Sequence, residues 1–134
     1  MKNLLVISND KIYFSKTRVS TKYNDIINIL EATKNFFNIF LLSRSSSRAD
    51  NFFLKKKKIL KLNFKKFFFL RKKKFKVLIV SVTPRNIFFY LILNLLIKNL
   101  EGFVYLRSDG YKEYETRLGK LGFLIFALMM KTIK

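Results

Sequence analysis

The chain has 134 residues, half of them apolar, and its 28 Lys and Arg residues against 8 Asp and Glu give a formal net charge of +20. This length suits one domain with a real core, and the apolar share argues against wholesale disorder. Cys and His are both absent, which excludes disulfides, zinc clusters and the commonest general base. A single domain over residues 1–134, without a metal site, is therefore expected.

The positive charge makes polyanions the natural partners, whether anionic lipid surfaces, nucleic acids or phosphorylated substrates. The same richness in Lys, Asn, Ile and Phe is also what a strongly AT-biased genome produces without selection for a partner. Charge alone does not separate these two explanations, because it reports on association and not on fold.

Two apolar segments, Ile87–Ile97 and Leu121–Met130, are shorter than the roughly 18–20 residues that cross a bilayer. Each has Lys close by, so buried helices are expected there. The first apolar run, Leu4–Ile7, is far too short for the core of a secretory signal. We therefore expect a cytoplasmic protein, either free or peripheral on the inner face of the cell membrane.

The N-terminal third predicts a strand, a helix and a second strand. Leu4–Ile7 reads as a buried strand that ends in the polar turn Ser8–Lys11, and a long connection follows over Ile12–Lys22. Apolar residues at 3- and 4-residue spacing predict a helix over Tyr23–Phe37, capped by Ser20 or Asn24. Asn38–Leu42 is the next strand, closed by a loop over Ser43–Asn51.

The middle of the chain is strongly basic. Phe52–Asn63 is predicted to be an edge strand or an exposed loop, and the spacing of Phe residues indicates a short helix over Phe64–Lys74. This region could be a nucleic-acid surface, a membrane-binding face, or a solvated face whose Lys stems cover apolar surface. The residues assigned to such a membrane or polyanion surface are Lys55, Lys56, Lys57, Lys58, Arg71, Lys72, Lys73 and Lys74.

The segment from residue 76 to 114 reads as strand, helix and strand. Val77–Val82 is a short apolar run rich in β-branched residues, and Thr83-Pro84 suits a helix N-cap followed by the first helical position. Phe103–Leu106 is the next strand. Two strands joined by a helix of this length lie parallel with a right-handed crossover. The expected fold is a Rossmann-like, three-layer α/β domain with a mostly parallel sheet of about five strands.

The last segment, Tyr111–Lys134, is predicted to be one helix. Glu113 and Glu115 lie in its first turns, and Lys131 and Lys134 lie in its last. This distribution of charge is the one that the helix dipole favours.

Candidate binding residues follow the strands, because ligands of parallel sheets bind beyond the carboxyl ends. Arg107 could hold a phosphate, and Asp109 could accept a hydrogen bond from a sugar hydroxyl, beside a helix N-terminus that favours anions. Alternatively, Ser108 or Asp109 is only an N-cap, Gly110 relieves the turn, and Arg107 lies at the surface.

Two further strand ends carry weaker candidates. Thr83 and Arg85 lie on the same rim, where the alternative is a plain Thr cap with Pro behind it. Asn9 follows the first strand, where a simple loop is the alternative. No Gly-rich phosphate loop, dinucleotide fingerprint or nucleophile elbow is present, which excludes ordinary P-loop NTPases and NAD-type sites.

Three segments together resemble the N-terminal domain of bacterial GT-B glycosyltransferases of the family 4-like group. They are Leu4-Leu5-Val6-Ile7-Ser8-Asn9-Asp10, Ser81-Val82-Thr83-Pro84-Arg85-Asn86 and Tyr105-Leu106-Arg107-Ser108-Asp109-Gly110-Tyr111-Lys112-Glu113-Tyr114. The resemblance implies the acceptor-side half of a two-domain enzyme, with Arg107, Ser108 and Asp109 lining the cleft and Asp109 as the candidate catalytic residue. The donor domain of that family, with its paired glutamates, and the His that many relatives carry at a strand end are both absent from this chain.

The resemblance therefore implies an acceptor-binding domain that is inactive alone, in a nucleotide-sugar-dependent hexosyltransferase of glycan or polysaccharide biosynthesis. A glycan or lipid-linked acceptor and the missing C-terminal domain are its implied partners. The nucleotide-sugar donor would bind that missing domain, so no cofactor is expected in this chain. The rival functions are a nucleic-acid-binding protein, suggested by charge alone, and a non-catalytic protein bound to an anionic membrane surface.

Overall fold

The computed structural model describes residues 2–55, 58–63, 74–97 and 100–133. Within these residues the predicted α/β class is confirmed, with seven strands in one sheet and three helices. The strands are β1 (Lys2–Phe14), β2 (Arg18–Thr21), β3 (Phe37–Ser45), β4 (Phe52–Lys55), β5 (Ile59–Lys61), β6 (Phe75–Val80) and β7 (Glu101–Tyr105). The helices are α1 (Asn24–Thr33), α2 (Pro84–Leu96) and α3 (Gly110–Lys131).

The sheet is mixed, whereas a mostly parallel sheet of about five strands was expected. The strands β5, β3, β1, β6 and β7 lie side by side in that order, and each pair of neighbours is parallel. The strand β2 pairs antiparallel with the end of β1, and β4 pairs antiparallel with β2. A connection of only three residues, 15–17, joins β1 to β2, and so short a link requires an antiparallel hairpin.

Helices cover the sheet on both faces, so the domain has three layers. Leu4 of β1 shares a buried cluster with Leu30 of α1. The next residue, Leu5, points to the opposite face and shares a second cluster with Leu93 of α2. Because β1 is buried on both faces, its apolar residues run without interruption instead of alternating with polar ones.

The first strand is longer than its sequence predicts. The expected turn at Ser8–Lys11 is wrong, since β1 continues through it, and the long connection Ile12–Lys22 is instead part of the β1–β2 hairpin. Polar residues are tolerated in this buried strand because they bond to each other. The Ser8 hydroxyl donates to Asp10 Oδ2 at 2.7 Å, and the Asp10 backbone N–H donates to Ser8 Oγ at 3.1 Å.

The predicted helix over Tyr23–Phe37 exists as the shorter α1. Tyr23 occupies the N-cap position without a side-chain hydrogen bond to the helix. Neither predicted cap acts as one, because Asn24 is already the first helical residue and Ser20 lies buried in β2. The Ser20 hydroxyl accepts a hydrogen bond from the Asp50 backbone N–H at 3.1 Å instead.

The predicted strand Asn38–Leu42 is part of the longer β3. This strand begins one residue earlier and extends three residues into the expected loop, to Ser45. The segment Phe52–Asn63 forms two short edge strands, β4 and β5, so the edge-strand interpretation is confirmed. The predicted helix over Phe64–Lys74 lies outside the described residues except for Lys74, which is not helical. Of the predicted basic surface, Lys56, Lys57, Arg71, Lys72 and Lys73 lie outside the described residues, while Lys55, Lys58 and Lys74 are exposed.

The predicted strand–helix–strand unit is confirmed, with parallel pairing of β6 and β7. The strand β6 ends at Val80, two residues earlier than expected, because Ser81 turns the backbone with a φ of 66°. Thr83 caps α2 as predicted, and its Oγ1 accepts from the Asn86 backbone N–H at 3.3 Å. Pro84 occupies the first helical position.

The helix predicted over Tyr111–Lys134 exists as α3, which begins one residue earlier and ends at Lys131, while Lys134 lies outside the described residues. It is broken at Gly119, whose φ of 61° and ψ of −152° are not helical. In a continuous helix, the 15 steps from Tyr111 to Phe126 would separate the two residues by about 22 Å along the axis. Their ring centroids are instead 4.8 Å apart. The two halves, residues 110–118 and 120–131, therefore fold back on each other as a helical hairpin.

Candidate functional site

A cleft of about 770 Å³ lies at the carboxyl ends of the parallel strands. Its walls come from the ends of β1, β3, β6 and β7, the link before α1, and the first half of α3. The cleft opens where the strand order reverses, since the chain leaves β1 toward β3 on one side and leaves β6 toward β7 on the other. Open α/β sheets bind their ligands at this kind of position.

Arg107, at the end of β7, is held by two carboxylates from distant parts of the chain. Its Nη1 and Nη2 donate to Asp10 Oδ1 and Oδ2 at 2.8 and 2.6 Å. Its Nη2 also donates to Asp25 Oδ1 at 3.1 Å, and its Nε donates to Asp25 Oδ2. The guanidinium lies over the Tyr23 ring, 5.0 Å from the centroid. This network joins β1, the start of α1 and the end of β7.

The electrostatics of this network fix the charge of Arg107. Desolvation opposes the charged guanidinium, but its hydrogen bonds to Asp10 and Asp25 and their negative charges outweigh that effect and raise the pKa of Arg107. Two carboxylates face one guanidinium, and Asp10 is only 8% exposed. Arg107 lines the cleft as predicted, but its donors are already engaged within the protein.

Asp109 acts as the N-cap of α3. Its Oδ1 accepts from the backbone N–H groups of Tyr111 and Lys112 at 3.1 and 3.4 Å, so the capping alternative is confirmed by geometry. Ser108, rather than Asp109, lies in the cleft wall, where its hydroxyl donates to Glu113 Oε2 at 3.0 Å. A catalytic role for Asp109 stays a prediction.

Of the candidates on the other strand ends, two line the cleft and one does not. Asn9 and Thr83 line the cleft. Arg85 does not line it, and its Nη1 donates to the Ser8 carbonyl at 3.0 Å while its guanidinium lies 4.9 Å from the centroid of the Phe89 ring. Burial, and then the positive charge of Arg44, lower the pKa of Arg85.

Sequence reasoning missed the cations that dominate the cleft. Lys11, Lys22, Arg44 and Arg48 line it, and no ion pair engages any of them among the residues that the structure describes. Three acids also lie in the wall. Asp10 is bound to Arg107, and Glu113 is bound to Arg117 at 2.8 Å, so among the described residues of the wall only the Asp50 carboxylate is without an ion pair. The cleft is therefore electropositive and suits an anion.

Tyr114, in the first half of α3, adds a neutral donor to the wall. Burial, together with the negative charge of Glu113, raises the pKa of its hydroxyl. The hydroxyl therefore keeps its proton at neutral pH and can donate a hydrogen bond to a ligand.

Metal-ligating side chains do not gather in groups of three or more anywhere in the described ranges. Among the same residues, no helix combines the length and apolar character needed to cross a membrane. No protein-family model, curated protein or solved structure matches the chain. The glycosyltransferase resemblance thus stays a prediction.

Proposed function

We propose that this chain is the acceptor-binding half of a nucleotide-sugar-dependent glycosyltransferase in glycan or polysaccharide biosynthesis. The observation that carries the proposal is the place of the cleft in the sheet. If the five parallel strands are renumbered 1 to 5 along the chain, their order across the sheet is 3-2-1-4-5. Rossmann-like sheets have this strand order. The cleft lies beyond the carboxyl ends at the reversal between the first and fourth of these strands.

The chemistry of the wall supports a saccharide as ligand. Asn9, Ser47, Thr83, Ser108 and Tyr114 bring amide and hydroxyl groups to the cleft, and such groups exchange hydrogen bonds with sugar hydroxyls. The volume of about 770 Å³ falls within the range of about 300–1,000 Å³ that is usual for small-molecule sites. The nucleotide-sugar donor of such an enzyme would bind a second domain, so acceptor binding is the role proposed for residues 1–134.

The experiment is to detect neutral oligosaccharides bound to the chain by saturation-transfer difference NMR, before and after the cleft is blocked. Ser108→Trp would place a large side chain at an exposed position of the wall. Wild-type protein should transfer saturation to saccharide protons, and this variant should lose more than half of that transfer. Asn35→Trp, at an exposed turn that does not line the cleft, is the matched control and should bind like wild type. Absence of saccharide binding by wild type, or equal binding by all three proteins, would reject the proposal.

A second candidate function is attachment to an anionic membrane surface, as a peripheral protein without catalysis. The observation that favours it is an exposed apolar stripe on the second half of α3, where Leu121, Leu124 and Leu128 are 63, 58 and 64% exposed. Their spacing places them on one face of the helix. Basic residues flank the stripe at Lys120 and Lys131, as in helices that lie in the lipid headgroup region. Apolar exposure of this kind is not needed to bind nucleic acid.

A further inference from the structure

Two basic residues of the cleft are direct neighbours on adjacent strands. Lys11 of β1 pairs in register with Arg44 of β3, and both line the cleft. Residues paired in this way present their side chains on the same face of the sheet. Like charges that face each other across strands destabilise a sheet, and no ion pair relieves either residue within the described part of the chain.

Little negative charge near this pair is free to compensate it, since the Asp50 carboxylate of the same wall forms no ion pair with Lys11 or Arg44 among the described residues. The nearest carboxylate along β1, that of Asp10, is committed to Arg107 through two hydrogen bonds. The charge of Arg44 reaches Arg85, whose pKa is lowered by burial and by this repulsion. Arg48, four residues beyond Arg44, adds another cation to the same wall. A concentration of positive charge in a concave site raises the local concentration of anions.

We propose that Lys11 and Arg44 form a subsite for the phosphate of the ligand, which is a phosphate or diphosphate ester. A phosphate between them turns their mutual repulsion into two attractive contacts. The guanidinium of Arg44 can bind two phosphate oxygens side by side, while Lys11 supplies a point charge. This inference rests on the proposed function in one respect. It takes the ligand to be a phosphate-linked acceptor, whose phosphate would bind here while the amide and hydroxyl groups of the cleft bind its sugar.

Inorganic pyrophosphate, titrated into the full chain by isothermal calorimetry at fixed ionic strength, is the first probe. Wild type should bind it saturably, and Lys11→Gln and Arg44→Gln should each weaken binding by roughly tenfold or more, as expected for loss of a charge-assisted contact. Arg18→Gln is the matched control. Arg18 pairs in register with Lys55 on β2 and β4, so it lies in a like-charged pair of the same kind, but neither residue lines the cleft. This control should bind like wild type.

The proposal would be overturned by wild type that does not saturate, or by an equal loss of affinity in Arg18→Gln, which would mean that overall charge alone attracts the anion. Arg44→Lys covers the case in which Arg44→Gln fails to fold. It keeps the charge but cannot bind two oxygens side by side, so it should lose affinity by an intermediate factor. Affinity equal to wild type in both Arg44→Lys and Lys11→Gln would reject the subsite.

Two esters distinguish the sources of the phosphate. Farnesyl diphosphate binding more tightly than pyrophosphate would indicate a lipid-linked diphosphate, and uridine diphosphate binding more tightly would indicate a nucleotide; either result supports the subsite. The outcomes are also separable from the proposed function. Loss of pyrophosphate binding in Arg44→Gln, with no saccharide signal that Ser108→Trp can block, would keep the subsite and reject the acceptor-binding role.

Discussion

At the scale of single residues, Arg107 organises the edge of the sheet where the cleft lies. Its partner Asp10 is 97 residues away in the chain, and Asp25 is 82 residues away. The contact therefore fixes the positions of three elements that local sequence does not connect. The network places two carboxylates against one guanidinium, so the positive potential of the wall comes from the four cations Lys11, Lys22, Arg44 and Arg48 and not from Arg107.

The first prediction concerns the carboxylate of Asp10. Asp10→Asn should lower the free energy of unfolding by about 2 kcal/mol, because the charged partner of a partly buried guanidinium is lost. Urea denaturation measures the change. Glu113→Gln removes a carboxylate from Arg117, whose side chain is 73% exposed, and should change stability by less than about 0.5 kcal/mol. Equal effects of the two substitutions would mean that the Asp10 network does not stabilise the fold.

Two of the local contacts that the sequence suggests are present, Thr83 as a predicted cap and Asp109 in its alternative role as a cap, whereas the caps predicted for α1 are wrong. Thr83 caps α2 through the N–H three residues later, and Asp109 caps α3 through N–H groups two and three residues later. Such contacts depend only on residue type and spacing. The bonds from Arg107 to Asp10 and Asp25 depend on the sheet order and on the position of α1, which no local pattern encodes.

At the scale of elements, the break in α3 is the largest departure from the sequence-based expectation. Apolar and charged residues continue with helical character on both sides of Gly119, so the pattern predicts one helix. The backbone of Gly119 lies in a region that glycine alone enters easily. The fold-back is further specified by close packing, since a side chain at Gly110 would meet the Phe126 ring at 2.1 Å.

A substitution at the break tests this interpretation. A Cβ added at Gly119 meets no atom within 4 Å, so Gly119→Ala reports on backbone strain without a clash. It should lower the free energy of unfolding by about 1–3 kcal/mol, measured by urea denaturation. Lys120→Ala, at the exposed next position, should leave stability within about 0.5 kcal/mol of wild type. If Gly119→Ala lowers the free energy of unfolding by no more than this control does, α3 is a continuous helix in solution.

The remaining elements show the same division between local and long-range information. The strand–helix–strand unit from β6 to β7 follows from apolar runs and a capping signal, and it was predicted. The extension of β1 beyond Ile7 was missed because Ser8 and Asp10 look like turn residues until their mutual hydrogen bonds and Arg107 are considered. The hairpin with β2 was missed for the same reason, since it depends on that extension.

At the scale of the whole molecule, the basic residues far outnumber the acidic residues that could neutralise them. Within the described residues, the ion pairs engage five acidic residues but only four cations, because Arg107 takes two. With 28 basic residues against 8 acidic ones, self-repulsion opposes the compact state. An anionic partner would relieve this repulsion, either a ligand in the cleft or an extended surface outside it.

The last prediction separates charge from apolar contact in binding to a membrane surface. The chain should cosediment with anionic vesicles at about 10 mM salt and dissociate at about 1 M, because screening shortens the range of the attraction from roughly 30 to 3 Å. Each Lys or Arg near such a surface contributes about 1 kcal/mol. Vesicles of neutral lipid are the control for charge.

A variant with Leu121, Leu124 and Leu128 all replaced by Ser keeps the full charge and removes the exposed stripe of α3. Since these side chains are exposed, the substitutions should leave the fold intact, and circular dichroism checks this. If the stripe enters the lipid, the variant should bind anionic vesicles more weakly than wild type and release at lower salt, because burial of apolar area is lost. Identical release of both proteins would assign the binding to charge alone, and no sedimentation of wild type at low salt would remove membrane attachment as a function.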